Sequence, residues 1–156
     1  MDFRIRGLDP APFRSYFELS EDELARRGAR RSIVTASPGT PCRVSLEDAP
    51  VGEEVVLLHY AHHTTESSPC RAAGPIFVRK AAGRAFDAVN EVPELFRTRL
   101  LSVRAYDDAG FMVAADVVEG TVLEGTIDKL LGKTSTAFLH VHYARPGCFA
   151  CRVERA

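Results

Sequence analysis

A chain of 156 residues, 46% hydrophobic and 26% charged, has the size and balance of one globular domain that buries its core without a disulfide or metal staple, which excludes long disorder. With 20 basic against 21 acidic residues the net charge is −1, so there is no basic excess for a nucleic-acid backbone, and the lack of tryptophan, with only 8% aromatic residues, leaves no base-stacking platform. No apolar run suits a signal peptide or a membrane span, so a cytoplasmic location is expected, where four cysteines serve as thiols, ligands or reactive groups rather than as a disulfide framework.

Apolar and basic residues alternate over Phe3-Arg4-Ile5-Arg6, the pattern of a half-buried strand. Asp9-Pro10 then suits a helix start, giving a short helix over 10–17. The strongest local signal follows. Ser20 and Glu23 have capping-box spacing, Leu19 and Leu24 form the hydrophobic staple, and Gly28 suits the left-handed position past the end of a helix over 21–27. Strands are expected over 31–36 and 43–46, separated by the breaker Ser37-Pro38-Gly39-Thr40-Pro41. A turn at Val51-Gly52 leads into a buried strand over 54–61, then a polar loop over 62–69 and a strand over 74–80.

Residues 83–94 read as irregular, with a helical turn over 93–98. Strands over 100–106 and 111–118 flank Asp107-Asp108-Ala109-Gly110, a hairpin signal. Leu123, Ile127, Leu130 and Leu131 recur at helical spacing up to Gly132. The last two strands, 137–144 and 149–154, are joined by Pro146-Gly147. Strands joined by short turns, with few helices, indicate an α+β fold: one domain over 1–156, mostly antiparallel sheet with two or three short helices at its edge or on one face.

Histidine occurs in two places. His59, His62 and His63 fall at a strand end, and His140 and His142 lie two apart on a strand and so share a face. If the strands are neighbours, His59 or His62 meets that pair, with Cys42, Cys148 or an aspartate able to complete a tetrahedron, although the spacing matches no structural zinc signature. Ordinary half-buried imidazoles on a sheet face are the simpler reading, and no metal ligand is assigned.

Cys148-Phe149-Ala150-Cys151 has redox spacing but enters a strand, where the helix dipole that activates such a pair is missing. Pro-Cys-Arg occurs twice, at Cys42-Arg43 and Cys70-Arg71, each where a loop enters a strand. Arg43, Arg71 and Arg79, if they converge, form a fork for carboxylate or phosphate. Arg104 and Arg145 also lie on or beside strands. Small residues over 67–79 mark that loop and strand as a place for a pocket.

The segments GTPCRVSLEDA at 39–49, GPIFVR at 74–79 and ARPGCF at 144–149, with the leucine–serine–acidic helix start, resemble a family of small bacterial proteins known as a domain of unknown function, family 1203. The resemblance spans nearly the whole chain. In that family an aromatic residue more often stands where Cys70 does, which shifts weight to Cys42 and Cys148. The resemblance implies no assigned activity.

The first functional expectation is a protein or enzyme that holds a small anionic molecule in an Arg/His/Cys-lined pocket. Arg43, Arg71, Arg79, His59 and His62 would bind, His140 or His142 would move protons, and Cys42 or Cys148 would act as nucleophile or wall. The first alternative is a non-catalytic homodimeric binding module, and the second is a metal site on the histidine strand. The cofactor is left open, and neither nucleic acid nor membrane is an expected partner.

Overall fold

The computed structural model describes all residues 1–156. It has the expected α+β architecture, built on two antiparallel sheets. The larger contains β1 (Phe3–Arg6), β5 (Asp87–Val89), β6 (Leu100–Tyr106), β7 (Met112–Glu119), β8 (Phe138–Tyr143) and β9 (Phe149–Arg155), in the order β5-β1-β9-β8-β6-β7. The smaller contains β2 (Arg30–Ile33), β3 (Glu54–His63) and β4 (Ala72–Arg79), in chain order. Three short α-helices complete the fold: α1 (Glu21–Arg26), α2 (Glu94–Arg97) and α3 (Leu123–Leu131). None is long and apolar enough to cross a membrane.

Each sheet owns a core. Leu123, Ile127, Leu130 and Leu131 of α3 and Phe96 of α2 pack with the strand residues Ile5, Leu101, Val103, Leu139, Val141 and Val153. That is the stripe expected from the 3.6-residue period of α3 meeting the 2-residue period of the strands. The second core joins Phe13 and Leu24 to Cys42, Val44, Val56, Leu58, Ile76 and Val78.

The Ser20 cap forms as expected: Glu23 N donates to Ser20 Oγ at 3.2 Å, and Ser20 N donates to Glu23 Oε2 at 2.7 Å. Gly28 adopts φ 67°, the left-handed conformation that only glycine takes without strain. The Asp107–Gly110 hairpin also forms, with Gly110 N donating to Asp107 O at 3.0 Å.

Several expected elements differ. The helix over 10–17 is a 3-10 helix, Ala11–Glu18, in a stretch where Pro10 and Pro12 supply no backbone N–H donors. The strand over 31–36 stops at Ile33. β3 continues two residues further than expected, so His62 and His63 belong to the strand and not to the loop. The irregular stretch contains β5, which pairs with β1.

The largest difference is at 43–46, which is a turn and not a strand. Leu46 N folds back to Cys42 O at 3.1 Å, and Leu46 takes φ 51°. The turn is tied down on all sides. Arg43 N donates to Phe77 O at 3.0 Å, Leu8 N to Arg43 O at 2.8 Å and Phe86 N to Val44 O at 2.8 Å. A segment held by three separate neighbours is a rigid mount for the side chain it carries.

Candidate functional site

Arg43 projects from that turn and is 1% exposed. Its Nε donates to Phe149 O at 2.7 Å, its Nη1 to Pro41 O at 2.6 Å and its Nη2 to Cys148 Sγ at 3.0 Å. Its guanidinium lies 4.9 Å from the ring centre of Tyr143. No carboxylate pairs with it. A buried charge ordinarily has an opposite charge beside it, because desolvating an unpaired ion costs several kcal/mol. Arg99 shows the ordinary arrangement close by: its guanidinium holds Asp48 through two bonds, 2.6 and 2.9 Å, and lies 5.5 Å from the ring centre of the same tyrosine.

Arg43, Tyr143, Arg145 and Cys148 line one cavity of about 510 Å³, together with Arg99, Phe77 and one carboxylate, Glu119. That volume suits a small organic ligand. Arg145 is exposed there and makes no side-chain hydrogen bond or ion pair. Tyr143 is 4% exposed and its hydroxyl has no partner. Burial pushes this phenol well above the usual tyrosine value, so it stays protonated and can donate. The β8–β9 connection positions Cys148: Gly147 takes φ 80° and donates to Tyr143 O at 2.8 Å, which turns the sulfur toward Arg43.

The histidines assemble elsewhere. On β8, His140 and His142 face the smaller sheet while Tyr143 faces the α3 side, as strand alternation requires. His62 of β3 reaches across the sheets to them, with ring centres 5.9 Å from His140 and 5.0 Å from His142. Phe149 stacks on His62 at 5.0 Å and 8°. Both nitrogens of His62, Nδ1 of His140 and Nε2 of His142 are buried without partners.

Burial lowers His62 to about 4, with help from Arg104 and His63. It lowers His142 to about 4, again with Arg104 contributing, and His140 to about 2, with His142 contributing. These rings are therefore neutral at pH 7. No three histidine, cysteine or acidic side chains are grouped so as to hold a metal ion. One thread joins the two places: His142 Nδ1 lies 3.2 Å from Gly147 O, next to Cys148.

The remaining candidates lie apart from the cavity. Arg79 binds Glu53 through two bonds, 2.6 and 2.7 Å, and Glu47 at 2.8 Å, so its charge is already matched. Arg71 donates to Glu66 O at 2.7 Å and borders a shallow depression with His63. The small-residue stretch over 67–79 thus holds no deep pocket beyond the wall contribution of Phe77. His59 is exposed on β3. Cys42 is 0% exposed, and its sulfur accepts from Val44 N and Arg79 N, both at 3.4 Å, so it is packing and not a reachable thiol. Cys151 is buried in the larger core, and burial raises its thiol well above the usual value.

Tyr143 was not among the sequence candidates. The available signal was its position one residue past His142, which sends its side chain to the opposite face of β8. No curated protein and no solved structure matches the chain. Residues 39–155, which carry Arg43, Tyr143, Arg145 and Cys148, match the family described as a protein of unknown function (DUF1203), and the chain belongs to that family.

Proposed function

We propose that the protein binds a small organic anion in the cavity formed by Arg43, Tyr143, Arg145 and Cys148. One observation carries this reading: Arg43 is buried with no acidic partner and opens onto a cavity. An anion in the cavity would supply the missing countercharge. Of the five N–H groups of a guanidinium, three are used here, so two remain for a ligand. Arg145 would add a second, solvent-facing cation, and the Tyr143 hydroxyl a free donor. Arg43 and Cys148 are the two sequence candidates in this role, and Arg71, Arg79 and His59 have none in it.

Thermal melts with benzoate, benzamide and inorganic phosphate test the reading. A bound anion stabilises the folded state by about 2.7 kcal/mol at a hundredfold excess over its Kd. The melting temperature should rise with benzoate and not with the uncharged benzamide. Arg145→Ala, at an exposed position, should keep the fold and weaken the effect, and Arg43→Met should abolish it. The absence of any shift with benzoate or phosphate at about 10 mM, enough to fill a site of millimolar affinity, would overturn the proposal.

A second reading, self-association through β7, is favoured by that strand's open edge and by its exposed Met112, Val113 and Val117. Sedimentation as a monomer at high concentration would remove it.

A further inference from the structure

We infer that Cys148 is a nucleophile for small carboxylates that carry an electrophilic carbon beside the carboxylate, the 2-oxo acids being the class that fits; this rests on the anion-binding reading above. The cavity presents three different chemistries. Arg145 is an unpaired cation at its exposed side. Cys148 is a partly buried sulfur that accepts a hydrogen bond from the Arg43 guanidinium at 3.0 Å. Tyr143 lines the cavity, and its protonated hydroxyl is buried without a partner.

Each matches one part of such a molecule. Arg145, with the two remaining N–H groups of Arg43, takes the carboxylate. Cys148 meets the adjacent carbon, and the fixed positive charge at Arg43 favours the negative charge that sulfur carries as it attacks. Tyr143 supplies the donor for the oxygen on which charge develops.

The step balances without any further reactant. A C–S bond forms at the carbonyl carbon and the π bond of the carbonyl breaks. Its electron pair goes to oxygen, which takes up one proton as the thiol loses one, and the product is a thiohemiketal. Nothing is oxidised or reduced overall and no group leaves. The other thiols do not compete: Cys42 and Cys151 are 0% exposed, and Cys70 lies by the 64–71 loop, where its sulfur accepts from Met112 N at 3.5 Å.

Iodoacetate and iodoacetamide present the same electrophilic carbon with and without a negative charge. In each case sulfur displaces iodide and the thiol proton passes to solvent. Labelling rates are measured on the intact protein at pH 7 and located by peptide mass spectrometry, with glutathione as the free-thiol reference.

Relative to glutathione, Cys148 should favour iodoacetate over iodoacetamide by about tenfold, equivalent to about 1.4 kcal/mol, and its rate should saturate. Arg145→Ala should lose this preference while still reacting with iodoacetamide. Pyruvate should slow labelling more than lactate, which shares its skeleton but lacks the carbonyl.

First labelling at Cys70, a glutathione-like preference at Cys148, or equal protection by pyruvate and lactate would each overturn the inference. Cys148→Ser separates the two proposals. If it still binds benzoate while the wild type fails the labelling test, the anion site stands and the nucleophile falls. If it does not bind and the wild type shows no charge preference, both fall.

Discussion

The imidazole of His62 and the ring of Phe149 lie parallel, 5.0 Å apart and 8° from coplanar, and this stack joins the smaller sheet to the larger one. His140 and His142 pack edge-on against the same pair, His140 at 5.0 Å and His142 at 5.8 Å from Phe149. The seam between the sheets is therefore built from rings that must remain uncharged to stay packed.

That seam should make the protein acid-sensitive well above the carboxylate range. An unfolded imidazole takes up its proton near pH 6.5. In the folded state burial holds His62 and His142 at about 4 and His140 at about 2. Above pH 6.5 both states are neutral and this contribution is flat. Between about pH 6.5 and 4 the unfolded chain binds protons that the folded chain refuses. Stability then falls by up to about 1.4 kcal/mol per pH unit for each such ring.

The carboxylates behave differently. Hydrogen bonding by Arg79 holds Glu53 below its usual value, and Arg4 does the same for Asp87, so their contribution is lost only as pH falls below about 4. Thermal melts from pH 7.5 to 4.5 should show the decline starting near pH 6.5, and His140→Leu should make it shallower. A melting temperature constant over that range would refute the assignment.

Glycine at position 7 should matter for the cavity as well as for the fold. A Cβ there would lie 2.0 Å from Val44 O and 3.1 Å from Arg43 O, inside the turn that mounts Arg43. Gly7→Ala should cost about 2–4 kcal/mol and weaken benzoate binding. Gly125, exposed in α3 with nothing within 4 Å of an added Cβ, is the opposite case. Gly125→Ala should stabilise by about 0.5–1 kcal/mol through helix propensity, with binding unchanged. Urea denaturation of both variants checks the pair, and equal effects of the two would contradict the packing described.

Arg79 should prove structural. Its side chain is 13% exposed, and it anchors Glu53 of the β2–β3 connection to β4. Arg79→Gln should destabilise the protein by about 1–2 kcal/mol while leaving benzoate affinity as in the wild type. A loss of affinity with full stability would instead restore Arg79 to the binding set.

What could be read from residues alone was local. The Ser20–Glu23 cap, the Asp107–Gly110 hairpin, the α3 stripe and the shared face of His140 and His142 each depend on neighbours within a few positions, and each forms. The family could also be read, because its motifs are contiguous. The turn at 43–46 could not be, because it is held by Phe77, Leu8 and Phe86, partners far along the chain.

The same limit applies to the arginines. Arg43, Arg71 and Arg79 look equivalent as residues beside strands, yet one is buried without a countercharge, one caps a loop carbonyl and one is neutralised by glutamates. Composition and order along the chain determined the α+β fold and supplied the thiols and guanidinium groups. Only the tertiary structure decided which of them share a cavity, since a charge is matched or unmatched by what lies within a few ångströms in space, and Arg43 meets Cys148 across 105 positions of sequence.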